Sequence, residues 1–178
     1  GGADFLTVRN VRFSEVRKPF ELRRAGVLNA IDCPFSTGRE PLVAPQDPPD
    51  VFRAKNAAEV ACVEDFGAVG DGATDDTAAI QRAFDAGRPS VCFTRANYRI
   101  DGTVRIPAQV REVNALHAHI CRGIARDEAM FRVEEVSPQP LFFHGAFTAG
   151  GVLIDHAAAR VCVIEDTFCE FHHGRDGF

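Results

Sequence analysis

Apolar side chains recur two positions apart in short segments along the chain, a spacing typical of β-strands. Three segments, residues 6–13, 28–35 and 161–168, share one layout: alternating apolar residues lead to a polar residue and then to a phenylalanine. The second segment starts 22 residues after the first. A period of this length without an intervening helix is typical of a parallel β-helix, whose stacked coils share one core. The pattern therefore predicts such a solenoid.

Two other folds share part of this pattern. A leucine-rich repeat has a similar period, but its LxxLxL spacing is absent from the chain. A β-sandwich stays open, because short alternating strands joined by turns suit it as well. In the β-helix, Asn10 and Asp32 would occupy equivalent bends, where their side chains can hydrogen-bond the backbone of neighbouring coils.

One segment departs from the strand pattern and predicts a helix over residues 75–86. Its apolar face comprises Ile80, Ala83 and Phe84. Thr74 or Asp75 can cap its start, and Gly87 ends it. Residues 36–56 carry four prolines among polar residues, which predicts a linker or a surface crossing.

Strands are predicted after the helix at residues 90–93, 98–100, 103–106, 113–120, 130–136 and 141–147. Alternation assigns half of each strand to the interior of the coils. The side chains expected to face inward include Val91, Phe93, Ile100, Val104, Ile106, Val161, Val163 and Phe168.

The segment from Asp65 to Gln81, DFGAVGDGATDDTAAIQ, resembles the opening signature of the pectate-lyase-like superfamily. Residues 91–107 are similar to the stretch that completes the first coil in that family. The superfamily consists of right-handed parallel β-helices and includes polygalacturonases, rhamnogalacturonases, exo-glucanases and tailspike depolymerases. The resemblance implies an all-β, right-handed parallel β-helix with one N-terminal capping α-helix.

In that family the helix after the signature covers the open end of the first coil. The resemblance therefore assigns Asp71, Asp75 and Asp76 to loop stabilisation and helix capping rather than to catalysis. The glycines between Gly67 and Gly72 lack the spacing of a phosphate-binding loop, so no nucleotide site is predicted.

The signature starts far from residue 1, and coil-like segments precede it. Residues 1–37 are therefore expected to be the terminal coils of a preceding β-helix. Residues 38–61 are expected to be a proline-rich linker, and residues 62–178 the capping segment and first coils of a pectate-lyase-like β-helix. On this interpretation the chain is a fragment of a longer protein, for which two consecutive β-helices are one arrangement.

The charge and composition of the chain argue against nucleic acid, a membrane and zinc as binding partners. The net charge is −5, whereas nucleic-acid binding needs a basic surface. No apolar run approaches the roughly 18 residues of a membrane helix. The six cysteines include no CxxC pair, so we expect free thiols packed as small hydrophobes rather than a zinc site. No cofactor is predicted, except calcium if the protein is a lyase.

Candidate catalytic residues are few. The polygalacturonase motifs that the resemblance would imply are absent from these residues. The remaining candidates are Asp155, His156, Glu165 and Asp166, with Glu170 beside them. A glycosidase needs two carboxyls about 5–10 Å apart, and Asp155 and Asp166 fall within one predicted coil. The favoured alternative is that these carboxylates are solvated residues at bends.

The histidines and aromatic residues provide little further evidence for a catalytic or sugar-binding site. His117 and His119 share one face of a predicted strand and could offer two metal ligands, but a surface pair is the simpler prediction. His172 and His173 could supply a general acid or simply lie in a loop. The chain has no tryptophan and one tyrosine, which disfavours a sugar-stacking groove here, and its 15 phenylalanines are predicted to fill the core.

Two function classes remain. The first is a polysaccharide hydrolase or lyase, extracellular or periplasmic, of which this chain is an inactive part because no complete catalytic set is present. The second is a non-catalytic β-helix: an adhesin, a surface structural protein or a tailspike, which would be trimeric. The expected partner is a polysaccharide in the first class, and its identity stays open.

Overall fold

The computed structural model describes residues 4–9, 12–14, 26–31, 52–123, 128–148 and 152–170. Within these ranges the chain forms thirteen strands, one α-helix and two short 3₁₀ helices, Ala57–Glu59 and Val63–Phe66. The strands before the helix are β1 (Asp4–Arg9), β2 (Arg12–Ser14), β3 (Gly26–Ile31), β4 (Val60–Cys62) and β5 (Asp71–Asp75). The helix α1 (Thr77–Phe84) is followed by β6 (Ser90–Cys92), β7 (Asn97–Arg99), β8 (Val104–Arg105), β9 (Glu112–Cys121), β10 (Phe131–Val133), β11 (Leu141–Thr148), β12 (Ile154–His156) and β13 (Cys162–Glu170).

All described strand pairs are parallel, which confirms the predicted parallel β-helix. Seven strands of a ten-stranded sheet follow the order β3-β1-β13-β11-β9-β6-β4. The other three extend from this path: β2 pairs with β13, β7 pairs with β9, and β5 pairs with β7. A separate sheet has the order β12-β10-β8. Neighbouring strands therefore come from successive coils of one solenoid.

The N-terminal strands lie at the end of the large sheet opposite β4, because β1 pairs with β13 and β3 pairs with β1. The division of the chain into a preceding β-helix, a linker and a second β-helix stays a prediction. Most of the proposed linker, including all four of its prolines, lies outside the described residues.

The capping helix covers the first described coil. Its face of Ile80, Ala83 and Phe84 is fully buried, as predicted, and it packs against Val63–Phe66, β4 and β8. The helix is shorter than the predicted 75–86, because Asp75 ends strand β5 instead of beginning the helix. Burial of one apolar stripe stabilises a helix of only eight residues, which would be marginal alone in water.

The interior of the coils is a ladder of in-register apolar residues. Val91 pairs in register with Ala61 on one side and Val113 on the other, and all three are fully buried. The rings of Phe131, Phe143 and Phe147 meet edge to face in the middle of the core. The inward positions predicted at Val91, Phe93, Ile100, Val104 and Ile106 are all buried.

The inward positions predicted on β13 are wrong. Cys162 and Ile164 join the core cluster, so the alternation places Val161 and Val163 on the opposite face. Val161 is half-buried there, and Val163 is buried in register with Phe142. The run Val-Cys-Val-Ile is apolar on both faces, so its composition does not reveal which set points inward.

A bulge reverses the alternation before Phe168. The register between β11 and β13 shifts next to Gly145, and Asp166 adopts a left-handed backbone with φ 49°. After the bulge Thr167 is buried and Phe168 is 44% exposed. The extra residue on β13 is therefore the reason that the prediction for Phe168 is wrong.

Candidate functional site

The buried acidic residue of the 65–81 signature holds the loop before α1. Asp76 is 1% exposed, and its carboxylate accepts hydrogen bonds from the backbone N–H groups of Val69 at 2.7 Å and Gly70 at 3.0 Å. Gly70 has φ +65°, and a Cβ there would come within 2.9 Å of Tyr98. These contacts give Asp76 and Gly70 structural roles.

Asp71 and Asp75, two of the exposed acidic residues of the signature, are engaged in a similar way. Asp71 accepts the backbone N–H of Thr74 at 2.7 Å, and this bond is the largest cause of a pKa below the ordinary value for Asp71. Asp75 accepts the N–H of Thr77 at 3.0 Å and that of Asp101 at 3.2 Å. Asp75 thereby satisfies the first backbone N–H of α1, next to the N-cap residue Asp76, and ties the helix to the following coil.

Gln81 completes the edge of the three-stranded sheet. Among the described strands β8 is the last on that side, and its Arg105 would otherwise present unpaired backbone groups. The Gln81 side chain accepts the Arg105 N–H at 2.8 Å and donates to the Arg105 carbonyl at 3.1 Å. One amide therefore replaces a missing strand, and it orients α1 above this face.

The outward face of this sheet carries a row of charges. Arg105, Arg132 and Asp155 are in register on β8, β10 and β12, so neighbours in the row are about 4.8 Å apart. Together with α1, Arg105 and Arg132 of this row line a groove of about 480 Å³, which we call the charged groove. Its lining includes Gln81, Asp85, Arg105, Arg132, Glu134 and Glu135.

The two arginines of the charged groove differ in their ion pairs. Arg132 Nε lies 3.0 Å from Asp155 Oδ2, and its Nη1 lies 3.4 Å from Glu134 Oε1. Arg105 reaches Glu134 only at 3.9 Å, and its side chain is 75% exposed. Arg132 is therefore locked between two carboxylates, whereas Arg105 keeps most of its donors directed to solvent.

The carboxylates that line the groove are also occupied in part. Asp85 accepts a hydrogen bond from Gln81 at 3.0 Å. Glu135 accepts the backbone N–H of Ala108 at 2.8 Å. Glu134 thus remains as the carboxylate that faces both arginines, and it is itself 44% exposed. A ligand in this groove would meet the guanidinium of Arg105 and the carboxylate of Glu134 together.

The candidates predicted from the sequence lie in two different sheets. Asp155 is on β12 and does not line the charged groove, but it pairs with Arg132, which does. His156 follows it in register with Val133, a core residue, and so faces the interior of the coil. Glu165 and Asp166 lie on β13 of the ten-stranded sheet. Their catalytic roles stay predictions.

The site around Glu165 includes a histidine that the sequence did not indicate. His144 Nδ1 lies 3.8 Å from Glu165 Oε1, and both side chains are 9% exposed. Asp166 is exposed at the bulge beside them. A carboxylate next to an imidazole could position it as an acid or a base. The single signal in the sequence was the polar residue His144 within an otherwise apolar strand.

Other candidates have no further support. In the described part of the chain no three His, Cys, Asp or Glu residues are placed to hold a metal ion. His172 and His173 lie outside the described residues, as does the side chain of Glu170. Among the described residues no helix is long and apolar enough to span a membrane.

Comparison with known families matches residues 60–111 to the family described as rhamnogalacturonase A/epimerase, pectate lyase-like. Comparison with characterised proteins gives 54% identity over 44 residues with the mannuronan C5-epimerase AlgE3 of Azotobacter vinelandii. This similarity covers 22% of the chain and 2% of the epimerase, so the chain spans a small part of that relative. No solved structure gives a significant match.

The family match includes most of the residues that line the charged groove. Gln81, Asp85 and Arg105 fall within residues 60–111, whereas Arg132, Glu134 and Glu135 follow it. The matched region contains α1 and strands β4 to β8, which form the cap and the first coil. Sequence similarity and coil geometry therefore agree on the same structural unit.

Proposed function

Because the chain belongs to the pectate-lyase-like superfamily of parallel β-helices, we propose that it is the capped end of a carbohydrate-active protein that acts on a uronate-containing polysaccharide. The relative with 54% identity carries the name of an enzyme for mannuronan, a polymer of uronate units. An extracellular or periplasmic location of the parent protein is part of this proposal. The observation that carries the proposal is the exposed Arg105 beside Glu134 in the charged groove.

An arginine in this position suits a uronate. The planar guanidinium binds a carboxylate through two parallel hydrogen bonds, a geometry that a neutral sugar cannot use fully. Three carboxylates on this face already have partners: Asp85 is bonded by Gln81, Glu135 by Ala108, and Asp155 by Arg132. Glu134 stays exposed beside Arg105 and opposes the binding of a polyanion there. Arg105 nevertheless offers the positive charge that is least compensated on this face.

Three reactions are compatible with such a site. Hydrolysis needs an acid and a second carboxylate across the scissile bond. Elimination and C5 epimerisation both begin by removing the proton next to the uronate carboxylate, which becomes easier when a cation neutralises that carboxylate. Arg105 could be the cation that neutralises the uronate carboxylate. The proposal therefore includes a polysaccharide hydrolase, a lyase and the epimerase that the relative suggests.

The reaction class is tested by incubating the chain separately with mannuronan, polygalacturonate and rhamnogalacturonan. New reducing ends identify a hydrolase, and ultraviolet absorbance of an unsaturated product identifies a lyase. Inversion at C5, seen by proton NMR with unchanged chain length, identifies an epimerase. Binding without turnover is the result expected of an inactive part of a larger enzyme, and it is also the result expected of the adhesin alternative. The proposal is wrong if none of these polymers binds.

Replacing Arg105 with alanine is expected to weaken binding of a uronate oligosaccharide about fivefold. A charge-assisted hydrogen bond contributes about 1.5–3 kcal/mol when buried, and we reduce this to about 1 kcal/mol because Arg105 is largely exposed. Isothermal titration calorimetry measures the change. The fold should remain intact, since Gln81 contacts only the backbone of Arg105.

The matched control is Arg53→Ala, which removes the same charge from an exposed arginine that does not line the groove. Its affinity should equal that of the unaltered chain. If both variants lose affinity equally, the interaction depends on overall charge and not on the charged groove. A neutral oligosaccharide of the same length should bind the Arg105→Ala variant and the unaltered chain alike.

A further inference from the structure

Two cysteines face each other on neighbouring coils beside the cap. Cys62 ends β4 and Cys92 ends β6, and the two residues are in register in a parallel pair. Their Sγ atoms are 2.7 Å apart. Both cysteines are half-buried. The preceding residues, Ala61 on β4 and Val91 on β6, point into the core, so alternation places the two cysteines on the outward side of the sheet.

We propose that Cys62 and Cys92 are a site of disulfide formation that fastens the capping segment to the next coil. In the closing reaction the thiolate of one cysteine attacks a small-molecule or protein disulfide and displaces one of its thiols. The second cysteine then attacks the mixed disulfide and displaces the other thiol. Two electrons pass to the external disulfide, which leaves as two thiols that carry the two protons.

The geometry allows this bond without rearrangement of the coils. In-register residues on neighbouring strands have Cα atoms about 4.8 Å apart, within the 4.4–6.8 Å range of known disulfides. The sulfur atoms need to approach by about 0.7 Å to reach the covalent distance of about 2.0 Å. Rotation of the two side chains about χ1 supplies a movement of this size.

The other described thiols lack such a partner in the described part of the chain. Cys121 Sγ donates to the Tyr98 carbonyl at 3.4 Å. Cys162 is fully buried in the core, and its burial raises the pKa of its thiol to about 12. Cys62 and Cys92 are therefore distinguished by contact between two sulfurs and by partial access to solvent.

The bond would stabilise the cap-side end of the described solenoid. Among the described strands β4 is the last of the large sheet on that side, so it pairs with β6 alone. The two cysteines are 30 residues apart and enclose the whole 65–81 signature together with α1. Closing a loop of this length restricts the unfolded chain, which favours the folded cap.

Closure should be slow without an exchange partner. Burial, the neighbouring Cys62 thiol and the Glu64 carboxylate raise the pKa of the Cys92 thiol. Little of this thiol is ionised at neutral pH, and the thiolate is the form that reacts. A thiol–disulfide exchange partner such as oxidised glutathione provides a direct route to the bond.

The test compares the chain after full reduction with the chain after incubation with oxidised glutathione. Remaining thiols are alkylated, the protein is digested with trypsin, and linked peptides are identified by mass spectrometry. Arg82 separates the two cysteines, so the bond joins two different tryptic peptides. We expect the Cys62 and Cys92 peptides to be linked and the thermal midpoint to rise by about 5–10 °C.

Three variants make the result specific. Cys62→Ser and Cys92→Ser should abolish the link and the rise in midpoint, whereas Cys121→Ser, a matched change at another half-buried thiol, should keep both. Alkylation of both cysteines after oxidation would overturn the proposal, as would recovery of each only as a glutathione adduct. A link that forms without raising the midpoint would also contradict it, because the bond would not then fasten the cap.

Discussion

Replacing Phe84 with alanine is expected to lower the free energy of unfolding by about 3–5 kcal/mol, the usual cost of removing a large aromatic ring from a core. Phe84 is fully buried, and its ring centroid lies 6.3 Å from that of Phe131 in the second sheet. It is also the last residue of α1, the helix that covers the first described coil. The cavity would open between the cap and the coils, where no other side chain can fill it without moving the helix.

Phe168→Ala is the matched control, since it removes the same ring from a position that is 44% exposed. Its loss should be below about 1 kcal/mol, because nearly half of that residue's surface already contacts water. Urea unfolding of both variants, followed by circular dichroism, measures the difference. Equal losses would mean that the cap does not bury Phe84 or that Phe168 is covered in solution.

The fold could be predicted because its local signals agree with one another. The 65–81 signature, the apolar face of Ile80, Ala83 and Phe84, and the alternation on β6 to β8 all point to a capped coil. The inward positions at Val161 and Val163 could not be predicted, because the run from Val161 to Ile164 is apolar on both faces. The position of Phe168 could not be predicted, because a bulge reverses the alternation and leaves little trace in composition. Its structural mark is the positive φ of Asp166, a residue type that tolerates that conformation.

The candidate site was predicted only in part, for a related reason. Asp155 stood out as a carboxylate near a predicted strand, but the alignment of Arg105 with Arg132 depends on register between coils of unequal length. Neither arginine belongs to a local motif. The pair of Cys62 and Cys92 was missed likewise, since only the parallel register of β4 and β6 brings their sulfurs together.

Replacing Arg160 with methionine is expected to lower the free energy of unfolding by about 2–4 kcal/mol. Arg160 is 2% exposed, and its guanidinium donates to the carbonyls of Gln139 at 3.0 Å, Pro107 at 3.3 Å and Val110. Without Arg160 the carbonyls of Gln139 and Val110 lose this donor, whereas that of Pro107 keeps the backbone N–H of Val110. A buried carbonyl left without a donor costs about 1–3 kcal/mol. The loss of stability is partly offset, because the variant no longer has to desolvate a charged guanidinium when it folds.

The charge of Arg160 is maintained at neutral pH despite its burial. Desolvation lowers the pKa of the guanidinium to about 10, which keeps it protonated under ordinary conditions. Arg160→Lys keeps a charge but replaces a planar fork by a single ammonium group, which cannot reach three carbonyls on different turns. We expect its loss of stability to be close to that of the methionine variant.

Arg105→Met separates the structural effect of Arg160 from a general effect of removing an arginine. Arg105 is 75% exposed, and only its backbone is bonded by Gln81, so its replacement should change stability by less than about 0.5 kcal/mol. Urea unfolding of the Arg160 and Arg105 variants under identical conditions gives the comparison. If Arg160→Met is as stable as Arg105→Met, water satisfies the carbonyls that lose their donor, and stacking of the apolar core alone holds these coils together.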